Sequence, residues 1–131
     1  AGHVYQGRFK SFAIQAEDHF LTVCRYVERN ALRANLVRRA EDWRWSSLWR
    51  WHHGDAREKS ILAPWPFRRY AGWLDHVNAP QTEAELAAIR HSVACGTPHG
   101  DERWTARGVK RLGLETTVRP RGRPRKCEKG S

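Results

Sequence analysis

The sequence predicts an α+β chain that is mainly helical, with few strands and a basic tail. Three observations lead to this class. Apolar residues recur at helical spacing in three segments, only one short segment alternates as a strand does, and the apolar pattern stops before the last thirteen residues. With 40% hydrophobic residues, including seven Trp, the 131 residues can bury one modest core.

The chain begins with a predicted strand, which is followed by a long helix. Residues 8–15 place Phe12 and Ile14 on one side of an extended segment, and this pattern favours a strand. Residues 17–37 then carry an apolar stripe at the i, i+3, i+4 and i+7 positions of a helix, formed by Phe20, Val23, Cys24 and Val27. We expect this stripe to face the core.

The middle of the chain is interpreted as a connection. Gly54 and the charged run after it are typical of an exposed loop, with a boundary near residues 54–60. Prolines on either side confine any further helix to residues 67–76.

Two later helices carry start and stop signals. Thr82 and Glu85 form a capping-box sequence, and Gly96 suits the position just past the end of that helix. Asp101 is placed to cap a last helix, which would end at Gly113. We therefore predict helices between these pairs of signals.

The predicted boundaries divide the chain into residues 1–54, a connecting segment at 55–80, a helical region at 81–117 and a basic tail at 118–131. Residues 119–131 hold six Lys or Arg against one Glu. Half of the net charge thus lies in a segment that cannot form a core, and we expect it to be disordered.

The overall charge points to a polyanionic partner. The chain has 24 Lys or Arg against 14 Asp or Glu, which gives a formal net charge of +10. A charge of this size suits nucleic acid or an anionic membrane surface. We favour nucleic acid because no basic amphipathic helix is evident, and no apolar run is long enough to span a membrane.

The tail contains a short pattern that resembles an AT-hook. Its core is Gly-Arg-Pro, which can lie extended in the narrow minor groove of A·T tracts while the flanking basic side chains contact the groove walls. The predicted DNA-binding residues are Arg121, Gly122, Arg123, Pro124, Arg125 and Lys126. The alternative is a solvated charge run that binds phosphates without specificity.

The cysteines indicate a reducing compartment. Cys24, Cys95 and Cys127 are far apart and show no C-x-x-C spacing, so the sequence suggests neither a disulfide framework nor a zinc site. We expect reduced thiols in a cytoplasm.

Four tryptophans alternate with arginines in the middle of the chain, and two interpretations are open. Trp43, Trp45, Trp49 and Trp51 could stack unpaired bases while arginines such as Arg44 and Arg50 hold phosphates. Ordinary packing in the core is the more frequent role of such residues, and we expect it here.

Several separated segments together resemble a known family. They read, in order, GHVYQGRFKS, CRYVERNALRANLV, WRWSS, GTPHGDERW, KRLGLE and RPRGRPRK. In order and spacing they are similar to the C-terminal portion of the REP-associated tyrosine transposases, which belong to the HUH single-strand transposase superfamily. The resemblance covers nearly the whole chain and is weakest at residues 52–80.

The resemblance implies a fold, an activity and two site residues. The fold is a ferredoxin-like domain, and the activity is cleavage and rejoining of single-stranded palindromic-repeat DNA through a 5′-phosphotyrosine. Carried onto the matching segment, it makes Tyr26 the nucleophile and Asn30 a ligand of a divalent metal, by default Mg²⁺. The family setting would be the nucleoid of a bacterial cytoplasm, with single-stranded hairpin repeats as the DNA partner.

Helical spacing allows these roles without requiring them. Tyr26 and Asn30 are i and i+4 on one helix, about 110 and about 70 degrees from the centre of the apolar stripe at 100 degrees per residue. A tyrosine beside an apolar stripe is more often a packing residue, and an asparagine near a helix end is often a local cap. His19, seven residues before Tyr26, is expected at the surface.

The chain departs from the family at the motif that names the superfamily. That motif is a His-hydrophobic-His strand that completes the metal site, and the sequence has none. The only close pair, His52 and His53, is adjacent, so its side chains would face opposite ways on a strand. In the family the motif lies before the segment with which this chain begins.

We therefore expect an amino-terminally truncated protein that does not cleave DNA by itself. The alternative is a non-catalytic DNA-binding remnant that acts through the tail and the later helices. A degenerate product that does not fold is a third possibility, and it would show weak helicity.

Overall fold

The computed structural model describes Gly7, residues 9–120 and Gly122, and these residues are mainly helical, as the sequence predicts. Within the described residues, seven α-helices and two 3-10 helices follow one another. The α-helices are α1 Asp18–Glu28, α2 Asn30–Arg33, α3 Ser47–His53, α4 Ala56–Ser60, α5 Trp73–Asn78, α6 Glu83–Cys95 and α7 Glu102–Leu112. The 3-10 helices are Ala40–Asp42 and Glu115–Thr117. None of the described helices combines the length and the apolar character that crossing a membrane requires.

The strand predicted at residues 8–15 is not formed in the part of the chain that the structure describes. Residues 9–15 instead make one isolated parallel bridge, between Ile14 and His99. Two backbone hydrogen bonds make this contact, from Gln15 N to His99 O at 2.9 Å and from His99 N to Ala13 O at 2.8 Å. A strand needs a neighbouring strand along its whole length, and this segment meets only the short connection before α7.

The first helix buries a different face from the predicted one. Val27, expected in the core, is 60% exposed. The face that turns inward carries the same i, i+3, i+4, i+7 spacing one residue further along the chain, at Leu21, Cys24, Arg25 and Glu28. Two of its four members are charged, and both are buried. Counting apolar residues alone therefore misplaced the buried face of the helix.

The core forms where α1 meets the middle of the chain. Its fully buried members are Ala40, Leu48, Trp73 and Val77. Leu21 and Cys24 of α1 pack against this cluster. Burial, and then the charge of Glu28, raise the pKa of the Cys24 thiol to about 11, so this cysteine stays protonated at neutral pH.

The carboxylate of Glu28 joins α1 to three other segments. It accepts hydrogen bonds from Trp73 Nε1 at 2.7 Å, from Ser47 Oγ at 3.1 Å and from Arg69 Nη2 at 3.3 Å. These donors belong to α5, to the start of α3 and to the connection before α5. One buried acceptor therefore orients the indole at the centre of the core.

Two arginines of the same region cap the end of α5. Arg25 Nη2 donates to the carbonyls of Ala79 and Pro80 at 2.8 and 2.9 Å. Arg29 Nη1 donates to the carbonyl of Val77 at 3.0 Å. The last carbonyls of a helix lack partners within the helix, so these two side chains supply them.

The connecting segment differs from the prediction in two places. The charged run after Gly54 is not a loop but helix α4, which begins with a capping box formed by Asp55 and Glu58. The helix expected at residues 67–76 starts only at Trp73. In the non-helical stretch before it, the guanidinium carbon of Arg69 lies 3.9 Å from the Trp65 ring centroid, and Arg69 donates a hydrogen bond to Glu28.

Two of the four tryptophans expected in the core are at the surface. Trp45 is 73% exposed and Trp51 is 40% exposed, whereas Trp43 and Trp49 are half-buried. The buried indole of the core is that of Trp73. The core prediction is therefore wrong for Trp45 and Trp51.

The two later helices begin and end as predicted. Thr82 and Glu85 form the capping box of α6, and Gly96 follows that helix with a φ of 72°. The carboxylate of Asp101 accepts from Trp104 N at 2.8 Å at the start of α7, and Gly113 ends it with a φ of 65°. Helix α6 packs beside α1.

We expect Glu28→Ala to lower the free energy of unfolding by about 3 kcal/mol, because it leaves the buried Trp73 N–H without an acceptor and Arg69 without its partner. Glu28→Gln should lose less, since an amide oxygen still accepts. Urea unfolding followed by circular dichroism measures both. The control is Glu83→Ala at an exposed position, which should cost less than about 1 kcal/mol. Equal losses at the two positions would contradict the role of Glu28.

Stability should also depend on His99. Burial, and then the charge of His19, lower the pKa of His99 below its ordinary value. The unfolded chain then binds a proton more readily than the folded chain, so stability falls as the pH drops below about 6.5, the ordinary histidine pKa.

We expect His99→Gln to flatten the decline in unfolding free energy between about pH 7 and pH 5.5. His76, whose pKa burial also lowers, contributes equally in both proteins. His52→Gln, at an exposed position, is the control and should leave the decline unchanged. Parallel curves for His99→Gln and the unaltered protein would show that His99 is not responsible.

Candidate functional site

Tyr26 and Asn30 lie at the junction between the first two helices. Tyr26 is half-buried in the last turn of α1, and Asn30 is the exposed first residue of α2. A single turn residue, Arg29, separates the helices but keeps helical backbone angles, with φ −82° and ψ −5°. Tyr26 and Asn30 therefore remain close to the i, i+4 arrangement that was predicted for one continuous helix.

One arginine contacts both residues. The guanidinium carbon of Arg33 lies 4.1 Å from the centroid of the Tyr26 ring. Arg33 Nη2 donates to Asn30 Oδ1 at 3.0 Å, and Nη1 donates to the backbone carbonyl of Tyr26 at 3.3 Å. These three residues are called the Tyr26 cluster below.

Arg33 was not among the predicted site residues, although the sequence held a signal for it. It follows Asn30 by three residues and Tyr26 by seven, which are the spacings of neighbours on one helix face. A cation on the same helix face is neither a nucleophile nor a metal ligand, so the predicted roles did not point to it. The structure makes this cation the centre of the cluster.

The cluster suits an anion that approaches the tyrosine. A guanidinium has five N–H donors in a planar fork that matches a phosphate, and it stacks on aromatic faces without losing its charge. A phosphodiester bound to Arg33 would therefore lie beside the Tyr26 ring. Cation and phenol are in place before any ligand arrives.

The described residues do not fit a divalent metal at Asn30. The oxygen that Asn30 would offer already accepts a hydrogen bond from the positively charged Arg33. Within residues 9–120, no group of three or more His, Cys, Asp or Glu side chains is arranged to hold a metal ion.

The histidines considered from the sequence lie elsewhere. His52 and His53 are exposed, and their rings meet edge to face with centroids 4.6 Å apart. His19 is half-buried rather than at the surface, and its ring packs edge-on to His99 at 5.5 Å. Neither arrangement extends the Tyr26 cluster.

Two cavities lie near α1. A shallow cavity of about 900 Å³ between α1, α6 and α7 is lined mainly by apolar atoms and includes His19, Ser92 and His99. It contains none of the predicted site residues. A smaller cleft of about 300 Å³ includes Asn30, and its walls come from the end of α1, residues 30–36 and residues 43–47.

The last helix carries a basic face that the sequence analysis overlooked. Arg103, Arg107 and Arg111 are spaced at i, i+4 and i+8 on α7, and all three are exposed together with Lys110. Buried Val109 marks the opposite, inward face of the helix. The statement that no basic amphipathic helix is present was therefore wrong. The signal was the recurrence of arginine every four residues.

The predicted tail site lies outside the described residues, apart from Gly122, which is exposed. The AT-hook interpretation of Arg121, Arg123, Pro124, Arg125 and Lys126 therefore stays a prediction. Comparisons of the chain with protein-family models, curated proteins and solved structures found no match.

Proposed function

We propose that this chain is a DNA-binding part of a tyrosine transposase, and that the Tyr26 cluster holds a phosphate of single-stranded DNA. The observation that carries the proposal is the position of Arg33, which contacts the Tyr26 ring and the Asn30 amide at once. The ferredoxin-like fold and the setting in a bacterial nucleoid belong to the same proposal. They rest on the family resemblance.

The proposed chemistry uses the phenol oxygen of Tyr26. This oxygen forms a bond to the phosphorus of a phosphodiester, and the bond from phosphorus to the 3′ oxygen of the preceding nucleotide breaks. The phenol proton is lost and the departing 3′ oxygen gains a proton, so the products are a 5′-phosphotyrosine and a free 3′-hydroxyl. One phosphate ester bond is exchanged for another, so the strand can be rejoined without ATP.

The arginines account for binding along the rest of the strand. The exposed row Arg103, Arg107 and Arg111 on α7 can contact backbone phosphates, and the net charge of +10 favours association with any nucleic acid. The AT-hook pattern of the tail would add minor-groove contacts. Arg33 differs from these residues because it holds a phosphate next to a potential nucleophile.

A second candidate function is DNA binding without catalysis. One observation favours it: the oxygen proposed as a metal ligand is engaged by Arg33. In that case Arg33 and Tyr26 would bind a phosphate and do nothing to it.

Arg33→Gln should weaken binding of an oligo(dT) strand about 5- to 10-fold at low salt, because one phosphate contact is lost. The slope of log affinity against log salt should become shallower by about 0.7, the value for one phosphate of a single strand. Fluorescence anisotropy over a salt series measures both quantities. Arg90→Gln, at an exposed position on α6, is the matched control and should change both less. Identical behaviour of the two variants would contradict the phosphate site.

The nucleophile can be tested without relying on a metal. In an oligonucleotide whose 5′-phosphate is esterified with p-nitrophenol, the leaving group departs as an anion and needs neither a proton nor a metal ion. We expect the unaltered chain and Tyr70→Phe to form a covalent adduct with release of p-nitrophenolate, and Tyr26→Phe to form none while still binding DNA.

Each other outcome of this experiment has a defined meaning. An adduct that persists in Tyr26→Phe would assign the reaction to another residue. DNA binding without an adduct in any of the three proteins would favour the non-catalytic function. Failure of all three to bind DNA would exclude both functions.

A further inference from the structure

We propose that the cleft beside Asn30 holds one unpaired base of the DNA strand, stacked on the indole of Trp45. This inference rests on the proposed function, because it places the base next to the phosphate at Arg33. It gives a role to Trp45, an exposed aromatic side chain that does not pack in the core.

The cleft is a concentration of exposed apolar surface. Three of its lining residues, Val27, Leu36 and Trp45, are 60%, 62% and 73% exposed. Single exposed apolar side chains are ordinary, but several around one cleft indicate a ligand site. At about 300 Å³ the cleft matches the small end of ligand sites and suits one ring system.

The charges around the cleft favour a nucleic acid over an apolar peptide. Arg33 reaches Asn30 on the cleft wall and provides the cation for a neighbouring phosphate. Glu28 is the only carboxylate among the cleft residues, and its oxygens are already engaged by Trp73, Ser47 and Arg69. A bound phosphate would therefore contact the cation of Arg33. The one carboxylate among the cleft residues, Glu28, is already paired with its hydrogen-bond donors.

Trp45 is held by its neighbours although it is exposed. The guanidinium carbon of Arg44 lies 5.7 Å from the Trp45 ring and 3.9 Å from the Trp49 ring. Arg44 Nη2 also pairs with Glu58 at 2.8 Å, which fixes it against α4. Arg44 therefore contacts the Trp45 indole without being one of the residues that line the cleft.

The two serine side chains in the cleft are not free to select one base over another. Ser46 Oγ donates to Trp43 O and accepts from Trp49 N, and Ser47 Oγ donates to Glu28. These hydroxyls already have partners within the chain. Stacking tolerates any base because every base has a π face, so binding should depend on the presence of a base more than on its sequence.

The test compares two strands with the same phosphates. One is an oligo(dT) 15-mer, and the other is a 15-mer in which abasic tetrahydrofuran units replace the nucleosides. Trp45→Ala should weaken binding of oligo(dT) by about 5- to 100-fold, the effect of losing one base–aromatic stack, and should change binding of the abasic strand less than about 2-fold. Trp45→Phe should keep most of the affinity.

Trp51→Ala is the matched control. Trp51 is also an exposed tryptophan, but it lies outside the cleft and contacts Arg69, with 5.2 Å between guanidinium and ring. It should affect both strands equally little. Thermal unfolding of each variant checks that the fold persists. We expect it to persist in Trp45→Ala because the Trp45 side chain is 73% exposed.

Two results would overturn the inference. One is an equal effect of Trp45→Ala on both strands, or no effect on either. The other is a halving of the mass in sedimentation for Trp45→Ala with unchanged DNA affinity, which would assign the cleft to a second copy of the chain. If Arg33→Gln weakens DNA binding and Trp45→Ala does not, the base site is wrong and the phosphate site stands. If Trp45→Ala weakens DNA binding and Arg33→Gln does not, the phosphate site is wrong and the base site stands.

Discussion

The buried carboxylate of Glu28 is the interaction on which the remaining structure depends. It receives the indole N–H of Trp73, the hydroxyl of Ser47 and the guanidinium of Arg69, and so connects α1 with three segments that come later in the chain. A buried charge is costly unless its hydrogen bonds are made, so these segments are held in one arrangement. The core around Trp73 and Val77 forms inside that arrangement.

Helix α1 thereby serves two purposes with two faces. The face with Arg25 and Glu28 builds the fold by capping α5 and orienting Trp73. The neighbouring face, with Tyr26 and Val27, is left half-buried or exposed and leads to Arg33 and the cleft. The proposed phosphate and base sites therefore lie on a helix whose neighbouring face is held by hydrogen bonds to the core and to the end of α5. A site supported in this way keeps its geometry without a ligand.

Features coded by neighbouring residues could be predicted, and features coded by distant partners could not. The ends of α6 and α7 followed from Thr82, Gly96, Asp101 and Gly113, because each cap acts within one turn. The buried face of α1 did not, since its polar members find partners 45 and 54 residues away. The strand at residues 8–15 failed for the same reason, because pairing depends on what lies beside it. Tyr26 and Asn30 could be singled out by resemblance, whereas Arg33 shares their helix face in the sequence but is marked as a site residue by its contacts with both.

We expect the surface from Arg33 to Trp45 to contact a DNA strand and the core around Trp73 to make no such contact. Titration of the ¹⁵N-labelled chain with oligo(dT), followed through the indole N–H signals of its seven tryptophans, measures this directly. We expect large shifts for Trp45 and Trp43 at the cleft, with the Trp73 signal unmoved because its N–H stays bound to Glu28. Shifts confined to Trp51 and Trp65, or none at all at saturating DNA, would contradict this expectation.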